Sequence, residues 1–328
     1  MPSRLRRFRG PRRPVQGCPQ PLASFFPAGD PCVRFFILDV FTDRPFAGNP
    51  LAVIPDADGL DAALMQRVAA EFGFSETSFV FPEAGTPWQV RIFTPAAELP
   101  FAGHPLVGTA YALARFGYLP AEPAAPGLPL RVAAGDIEAR IRFTCGHPVG
   151  AEFAAPGRFL LGDRADPAQV ARLLGLSESE LSDAAPLPCR AGHGLDFLLV
   201  RLADPEALGR ATVRGPLPAT LLELGLANGI YLFTDGDGIE ADIFARMFAP
   251  AHGIAEDPAT GSAAATLAGL LAHLHPEPDA LLRWRIAQGR EMGRPGLIET
   301  FARKRGGRLE EVRIGGRCAL VAEGELLL

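Results

Sequence analysis

The amino-acid sequence predicts an α+β protein built from two pseudo-symmetric halves. Patterns typical of strands and helices alternate along most of the chain, a short motif occurs twice about half the chain apart, and each copy leads into a helix rich in small residues. A chain of 328 residues, 48% of them hydrophobic, is long enough to form two cores. We therefore expect two similar domains.

The repeated motif joins a strand to the start of a helix. It reads RIFTPA at 91–96 and RMFAPA at 246–251. Each copy is followed by a second element of the form [HD]PxxG[ST]A, which begins at His104 in one half and at Asp257 in the other. A duplicated fold explains both the recurrence and the shared strand-loop-helix context. In this alignment His104 and Asp257 occupy equivalent positions.

The first half is predicted to contain four strands and two helices. Asp61 is the N-cap of a helix that runs to Phe72 and ends at Gly73, because glycine readily adopts the left-handed conformation after a helix. Small residues predict the helix Thr109–Phe116 after the first motif. Apolar runs bounded by turn residues predict strands over 35–41, 51–54, 74–82 and 88–93.

The rest of the chain continues the same alternation. The second motif leads into a predicted helix over Ser262–Leu274, which is rich in alanine and glycine. Strand patterns occur around 131–143, 197–203 and 230–234, and helical patterns occur around 167–174 and 218–226.

The N-terminal segment differs from everything after it. Residues 1–33 contain six arginines, several prolines and no acidic residue before Asp30, and they lack an apolar stretch long enough for a signal peptide or a membrane span. We expect a disordered tail or a wrongly assigned start codon, with a targeting leader as the alternative. The fold is expected to begin near Arg34, with one domain over 34–152 and the other over 153–328. The second boundary leaves open that the final residues of the chain pack with the first domain.

Composition restricts the possible partners and cofactors. A net charge of −5 gives no general reason to expect nucleic acid or an anionic membrane surface. The only lysine is Lys304, inside a basic run, which is a poor site for a pyridoxal Schiff base. Five scattered cysteines without a CxxC pair indicate reduced thiols and a cytoplasmic protein, and none has metal-ligand spacing to a histidine: Cys18, Cys32, Cys145, Cys189 and Cys318.

The two helix entrances are the best candidates for a binding site. A glycine-rich turn that enters a helix leaves free N–H groups at the positive end of the helix dipole, which favours a carboxylate or phosphate. Two such entrances facing one cleft would hold a small anion between His104 and Asp257. Taken singly, either residue is explained as well by helix capping or simple exposure. His193, in Gly-His-Gly, fits either a turn or a pocket wall.

Five strings resemble a known family. They are DVFTDRPFAGNPLAV (39–53), GFSETSFVFP (73–82), RIFTPAAELPFAGHP (91–105), RMFAPAHGIAEDPATGSA (246–263) and QGREMGRPG (288–296). In this order they resemble the signatures of the phenazine-biosynthesis PhzF-like family. The resemblance implies the fold of diaminopimelate epimerase, in which each of two domains wraps a mixed barrel-like β-sheet around a central helix and the active site lies between them.

The resemblance also implies a function. It implies isomerisation of a dihydro-hydroxyanthranilate-type carboxylate by proton transfer, with no metal and no organic cofactor, in a protein expected to be a homodimer. Glu76 is then the acid/base, since a carboxylate shielded from water can have a raised pKa suited to both steps. The catalytic residues implied are Glu76, His104 and Asp257, and those implied to bind substrate are Gly103, Gly108, Thr260, Gly261 and Ser262.

Two alternatives stay open at this point. A two-cysteine epimerase or racemase of the same fold would need a thiol at each helix entrance, but these read Phe101-Ala-Gly-His104 and Asp257-Pro-Ala-Thr260. A non-catalytic binding protein that retains the cleft has the same sequence features. Proton exchange between substrate and solvent would distinguish it from an enzyme.

Overall fold

The computed structural model describes residues 32–82, 86–119, 127–183, 186–213, 229–250 and 254–328. The expectations for residues 1–31 and for a helix over 218–226 concern segments outside these ranges. The first described strand begins at Cys32, ahead of the predicted start at Arg34. Among the described residues, no helix is both long enough and apolar enough to cross a membrane.

The described part of the first half contains eight strands and two helices. The element bounds are β1 Cys32–Val40, β2 Asn49–Ile54, α1 Ala62–Phe72, β3 Glu76–Phe81, β4 Trp88–Phe93, β5 Glu98–Leu99, α2 Gly103–Arg115, β6 Leu128–Val132, β7 Gly135–Thr144 and β8 His147–Ala154. As predicted, the Asp61 side chain caps α1 by accepting a hydrogen bond from the N–H of Leu64, and Gly73 ends the helix with φ of 65°.

Within its described residues, the second half has nine strands and three α-helices. The element bounds are β9 Phe159–Arg164, α3 Pro167–Leu174, β10 Cys189–His193, β11 Leu195–Arg201, α4 Pro205–Arg210, β12 Ile230–Asp235, β13 Ile243–Ala249, β14 Ile254–Asp257, α5 Gly261–Leu274, β15 Ala280–Gln288, β16 Gly296–Arg305 and β17 Arg308–Leu327. The predicted bounds of α3 are confirmed. The predicted division between 152 and 153 falls within β8, near its end.

The first half forms a closed mixed barrel. Its strands follow the order β1, β2, β3, β4, β6, β7, β8 and β17, and β17 then pairs with β1 again. Only the β2–β3 and β4–β6 pairs are parallel. Helix α2 lies inside this barrel and contacts β1, β2, β7, β8 and β17. Residues on every side of α2 are therefore buried, and the helix is apolar or small almost all round.

The second half has the same strand order around a central helix, but among the described residues its sheet stays open between β9 and β17. Its sheet runs β9, β10, β11, β12, β13, β15, β16 and β17, with β11–β12 and β13–β15 parallel. Helix α5 packs against β9, β10, β11, β15, β16 and β17. Its small residues are explained by the surrounding sheet: a Cβ on Gly269 would lie 2.6 Å from the ring of Phe159.

The repeated RxF motif has the same structural role in both halves. Arg91 on β4 pairs with Glu98 through two hydrogen bonds of 2.7 and 2.6 Å, and Arg246 on β13 pairs with Glu256 at 2.8 and 2.9 Å. Each guanidinium also lies over the ring of the phenylalanine two residues on, at 5.1 Å in the first half and 4.8 Å in the second. In each half the arginine links the two strands of the hairpin that leads to the central helix. The two halves therefore share these contacts as well as the motif.

The alignment of His104 with Asp257 is wrong. Helix α2 begins at Gly103, well before the predicted Thr109, so His104 is its second residue. Asp257 is instead the last residue of β14, ahead of α5. The equivalent pairs are Gly103 with Gly261 and His104 with Ser262. The error arises because Pro105 reads as a loop residue, although proline is tolerated in the first turn of a helix.

Candidate active site

The first residues of α2 and α5 meet between the two halves. A Cβ on Gly103 would lie 3.3 Å from the backbone nitrogen of Ser262 and 3.4 Å from the Cα of Gly261. A cavity of about 330 Å³ opens at this junction. It is lined by residues from both halves, including Glu76, Gly103, His104, Asp257, Thr260, Gly261 and Ser262.

Both helices present uncapped N-termini to the cavity. The N-cap of α2 is Ala102, which has no acceptor in its side chain, and the N-cap of α5 is Thr260, whose hydroxyl donates to the carboxylate of Asp257. Within the described residues, neither cap side chain accepts a hydrogen bond from its helix. The N–H groups of two helix starts and the positive ends of two helix dipoles are therefore available to one anionic ligand.

Glu76 and His104 form the central pair of the site. Glu76 opens β3 and is largely buried, with 13% of its side chain exposed, whereas His104 belongs to the first turn of α2 and is buried. The Nε2 atom of His104 lies 3.5 Å from the Oε2 atom of Glu76. The imidazole is also hydrogen bonded to the backbone of Pro50, which offers only a carbonyl acceptor. The ring N–H is thus engaged on the Pro50 side, and the Nε2 lone pair is directed towards Glu76.

Burial moves the pKa values of this pair in opposite directions. It raises the pKa of Glu76 to about 8, with a further increase from the negative charge of Asp257 and a decrease from the hydrogen bond of Ser75. It lowers the pKa of His104 to about 3, partly opposed by the bond to Pro50. Near neutral pH the imidazole is neutral, and the protonated and ionised forms of Glu76 are both populated.

Asp257 is the third ionisable group of the site. Burial raises its pKa, while hydrogen bonds from Thr260 and Asn49 lower it. Gln288 fixes the loop around it, since its Nε2 donates to the carbonyl of Asp257 at 2.8 Å and its Oε1 accepts from the N–H of Thr260 at 3.2 Å. The carboxylate is therefore held rigidly at the entrance to α5.

Asn49 connects the two carboxyl groups and was not identified from the sequence. Its Nδ2 donates to Asp257 Oδ1 at 3.0 Å and to the carbonyl of Ala259 at 2.9 Å, and its Oδ1 accepts from the hydroxyl of Ser75 at 3.1 Å. The Ser75 hydroxyl also faces the Glu76 carboxyl group: its one proton goes either to Asn49 or to ionised Glu76, and in the first case Ser75 accepts from protonated Glu76. When Glu76 is protonated, a continuous chain of hydrogen bonds therefore joins it to Asp257. The signal was present, because Asn49, Ser75 and Gln288 all lie in the strings that resemble the family.

An ion pair between buried Asp39 and partly exposed Arg294 supports the turn before Asn49. Arg294 Nη2 contacts Asp39 Oδ1 at 2.5 Å, while Arg294 also donates to the carbonyls of Ala47 and Gly48 at 3.0 Å each. Asp39 additionally accepts from the N–H of Phe46 at 2.6 Å. The first and last of the five strings thus interlock, and this contact fixes the backbone from which Asn49 reaches across to the second half.

The remaining walls of the cavity are apolar. Side chains from both halves form them, namely Leu99, Phe101, Leu195, Phe197, Met247 and Ile254. In the described part of the chain, no lysine or arginine lines the cavity. The site therefore combines a hydrophobic surface with two helix N-termini and a small group of ionisable side chains.

The structure brings together all but one of the residues expected at the site. The exception is Gly108, which lies within α2 and not at its entrance. A Cβ there would be 2.5 Å from Leu51 Cδ2 and 2.9 Å from Val40 Cγ2. Glycine at this position allows α2 to pack against β1 and β2, so the expectation that Gly108 binds substrate is wrong.

Comparison with known proteins places this site in a family. The family model described as phenazine biosynthesis-like protein matches residues 38–324. The chain is 36% identical to an uncharacterized isomerase of Mesorhizobium japonicum, over 90% of this chain and 99% of the relative. It is 34% identical to the trans-2,3-dihydro-3-hydroxyanthranilate isomerase of Pseudomonas fluorescens, again over 90% of this chain and 99% of the relative.

A solved structure shows the same fold. The Bacillus anthracis phenazine biosynthesis protein of the PhzF family superimposes with a TM-score of 0.82 at 26% identity, covering 91% of this chain and all of that one. The predicted fold class, with a barrel-like mixed sheet around a central helix in each half, is confirmed. The chain belongs to the phenazine biosynthesis-like (PhzF) family of isomerases.

Proposed function

We propose that this protein isomerises a small unsaturated cyclic carboxylate by proton transfer through Glu76. The observation that carries the proposal is the pair of largely buried Glu76 and neutral His104, 3.5 Å apart, inside a cavity that two helix N-termini share. A group with a pKa of about 8 can both accept and donate a proton near neutral pH. The names of the Pseudomonas relatives support a dihydro-hydroxyanthranilate-type substrate.

The cavity favours a flat molecule with one carboxylate. A volume of about 330 Å³ suits a single substituted ring, and the apolar walls would contact its faces. The substrate carboxylate would accept hydrogen bonds from the helix starts at Gly103, Gly261 and Ser262. Thr260 would contact the substrate only through the wall of the cavity, since its N–H and hydroxyl already donate to Gln288 and Asp257. No arginine or lysine is among the described lining residues, so the N–H groups of the helix starts would have to stabilise the negative charge of the substrate carboxylate.

In the proposed reaction the ionised form of Glu76 removes a proton from a ring carbon. The electron pair of the broken C–H bond moves into the ring, and the double bond shifts. Glu76, now protonated, returns the proton to a different carbon on the same face, so the reaction neither gains nor loses atoms or electrons. His104 Nε2 accepts a hydrogen bond from the protonated carboxyl and positions it, while Asp257 fixes the polar end of the substrate.

Proton exchange with solvent tests the proposal directly. The protein is incubated with trans-2,3-dihydro-3-hydroxyanthranilate in D₂O, and deuterium at each ring carbon is followed by NMR. We expect a double-bond shift with deuterium incorporation in the wild type, and a decrease of more than about a hundredfold in Glu76→Gln, which retains shape but cannot exchange a proton. Ligand-induced thermal stabilisation should persist in the variant.

Two other readings make different predictions in the same assay. A non-catalytic binding protein would show thermal stabilisation without exchange. A two-thiol racemase would depend on cysteines, but Cys189 and Cys318 are buried in the core and lie outside the cavity lining. Retained activity in Cys189→Ala and Cys318→Ala variants would exclude the racemase. Turnover by Glu76→Gln at the wild-type rate would contradict the proposal itself.

We also propose a cytoplasmic homodimer with two domains, 34–152 and 153–328, completed by the return of β17 to the first. The reduced state is supported by the described cysteines, Cys32, Cys145, Cys189 and Cys318, which are all free thiols. Light scattering after size-exclusion chromatography measures the assembly. A mass near twice 34.9 kDa supports the dimer, and a mass near 34.9 kDa contradicts it.

A further inference from the structure

A second cavity, larger than the first, lies at the other end of α5. Its volume is about 900 Å³, and it is lined by the connection between β8 and β9, the first residues of β17 and the end of α5 at His273. It shares no lining residue with the active site. Since α5 rises about 1.5 Å per residue, its 14 residues separate the two cavities by about 20 Å.

This cavity lies at an opening in the second sheet, between β9 and the first residues of β17. Strand β9 pairs with β10, and the first residues of β17 pair with β16. Strand β17 meets β8 only from Arg313 onwards, and in the described ranges it makes no pairing with β9. In the first half the corresponding opening is closed, because β17 pairs with both β8 and β1. The second half therefore has a gap where the first has a continuous ladder.

The lining of this cavity carries excess positive charge. Arg158, Arg305 and Arg308 all line it, and none of the three has an ion pair within the part of the chain that the structure describes. The two acidic lining residues are already paired. Arg303 binds Glu310 and Glu311 at 3.2 and 3.1 Å, and Arg313 binds Glu311 at 3.2 Å. Three guanidinium groups are thus left to face the cavity.

Two of these arginines are held by an anchored hairpin. The N–H of Gly306 donates to Asp279 Oδ1 and the N–H of Gly307 donates to the carbonyl of Pro278, both at 2.9 Å. The preceding Lys304 is buried and donates to the carbonyl of His275 at 2.6 Å. Its ammonium neutralises the negative end of α5, which would otherwise repel an anion from this cavity.

The opposite wall is aromatic and includes a buried imidazole. The rings of Phe159 and His273 lie 5.7 Å apart, and Phe159 is fixed by its contact with Gly269. His193 is only 6% exposed, and its Nδ1 lies 3.1 Å from the carbonyl of Pro156. Because that carbonyl can only accept, Nδ1 carries the proton, and Nε2 is left as an acceptor for an N–H or O–H group of a ligand.

We infer that this cavity is a second ligand site, remote from the active site, for a small molecule that bears phosphate groups. Unpaired guanidinium groups are the side chains best suited to bind phosphate oxygens. The aromatic wall offers a surface for a flat ring attached to the phosphates. A volume near 900 Å³ accommodates a ligand of nucleotide size.

Isothermal titration calorimetry with pyrophosphate and with ADP tests this inference, in buffer containing physiological salt. We expect saturable binding of one ligand per chain, weakened at least tenfold in the double variant Arg158→Ala/Arg308→Ala. Both residues are exposed, so the variant should retain the wild-type circular dichroism spectrum. Arg67→Ala, an exposed arginine on α1, is the matched control and should bind as the wild type does. Tighter binding of ADP than of pyrophosphate would show that the aromatic wall contacts the base.

Three results would overturn the inference. The first is an absence of saturable binding for both probes. The second is binding that the double arginine variant leaves unchanged. The third is binding abolished by Ser262→Asp, which repels anions from the active site, but retained by the arginine variant, because that pattern would place the anion at the helix starts.

Discussion

The side-chain amide of Asn49 donates a hydrogen bond of 3.0 Å to the carboxylate of Asp257, although the two residues are 208 positions apart. One belongs to the first strand pair of the molecule and the other to the entrance of the second central helix. This contact, extended through Ser75 to Glu76, makes the ionisation of each carboxyl group dependent on the other half of the protein.

Replacement of Asn49 by alanine should therefore alter the pH dependence of catalysis. The variant leaves a buried oxygen of Asp257 without its donor, which costs about 1–3 kcal/mol of stability. Loss of that bond also raises the pKa of Asp257. We expect the pH profile of kcat to change in midpoint as well as in height. An unaltered profile with a uniformly lower rate would indicate a purely structural role.

Ser75→Ala offers a milder change at the same site. The hydrogen bond from Ser75 lowers the pKa of Glu76, so its removal should raise that pKa further above about 8. The limb of the pH-rate profile that reports Glu76 should move to higher pH, with little change in thermal stability at pH 6. A shift to lower pH would contradict the assigned direction of this contact.

The stability of Glu76→Gln relative to the wild type should depend on pH. The pKa of Glu76 is about 8 in the folded protein, above the ordinary value of 4.5, so its favourable contribution is complete below pH 4.5 and is lost as the pH rises through 8. The glutamine variant has no such loss. The difference in Tm, wild type minus variant, should fall between pH 5 and pH 9. Glu71→Gln, on the exposed surface of α1, serves as the matched control substitution.

Gly108→Ala separates packing from substrate binding. The added methyl group would lie 2.5 Å from Leu51 Cδ2, so we expect destabilisation of about 1–3 kcal/mol from overpacking. At temperatures where the variant is folded, KM should match the wild-type value. Urea unfolding and steady-state kinetics measure the two quantities. A raised KM with unchanged stability would restore a binding role for this residue.

Arg294→Met should destabilise the folded protein by about 3 kcal/mol, because it leaves the buried carboxylate of Asp39 unpaired. The double variant Arg294→Met/Asp39→Asn removes the uncompensated charge and should recover part of the loss. Urea denaturation of the wild type, both single variants and the double variant forms a complete cycle. Additive effects of the two substitutions would show that this pair does not act as a unit.

Much of the fold was predictable where the signals were local. Helices α1 and α3 carry their own caps, such as Asp61 and Gly73, and their predicted bounds agree with the structure. The hairpin strands β5 and β14 are too short to leave a periodic pattern. The sequence patterns also gave no strand beyond α5, although β15, β16 and β17 are long, because their alternation is interrupted by arginine and glycine residues.

The location of the site could be predicted from the sequence motifs, but only some of its individual residues could be. Glu76 was identified because its string resembles a family, and His104 was identified first from the repeated motif and then from the same resemblance. Asn49 was not, since Gly-Asn-Pro reads as a turn and its partner lies in the other half. The two copies of the repeat were aligned on His104 and Asp257, where their sequences are similar. The helices begin at Gly103 and Gly261, so this alignment does not match the equivalent structural positions.

The shared strand β17 has a consequence for the order of events during synthesis. The first barrel needs β17 to bridge β8 and β1, yet about 150 residues are translated between β8 and β17. Until then a nascent first half on the ribosome exposes two unpaired strand edges, which are open to wrong partners. Chaperone demand should accordingly peak late in translation. A circular permutant that begins at Arg308 would supply β17 first and close that barrel early.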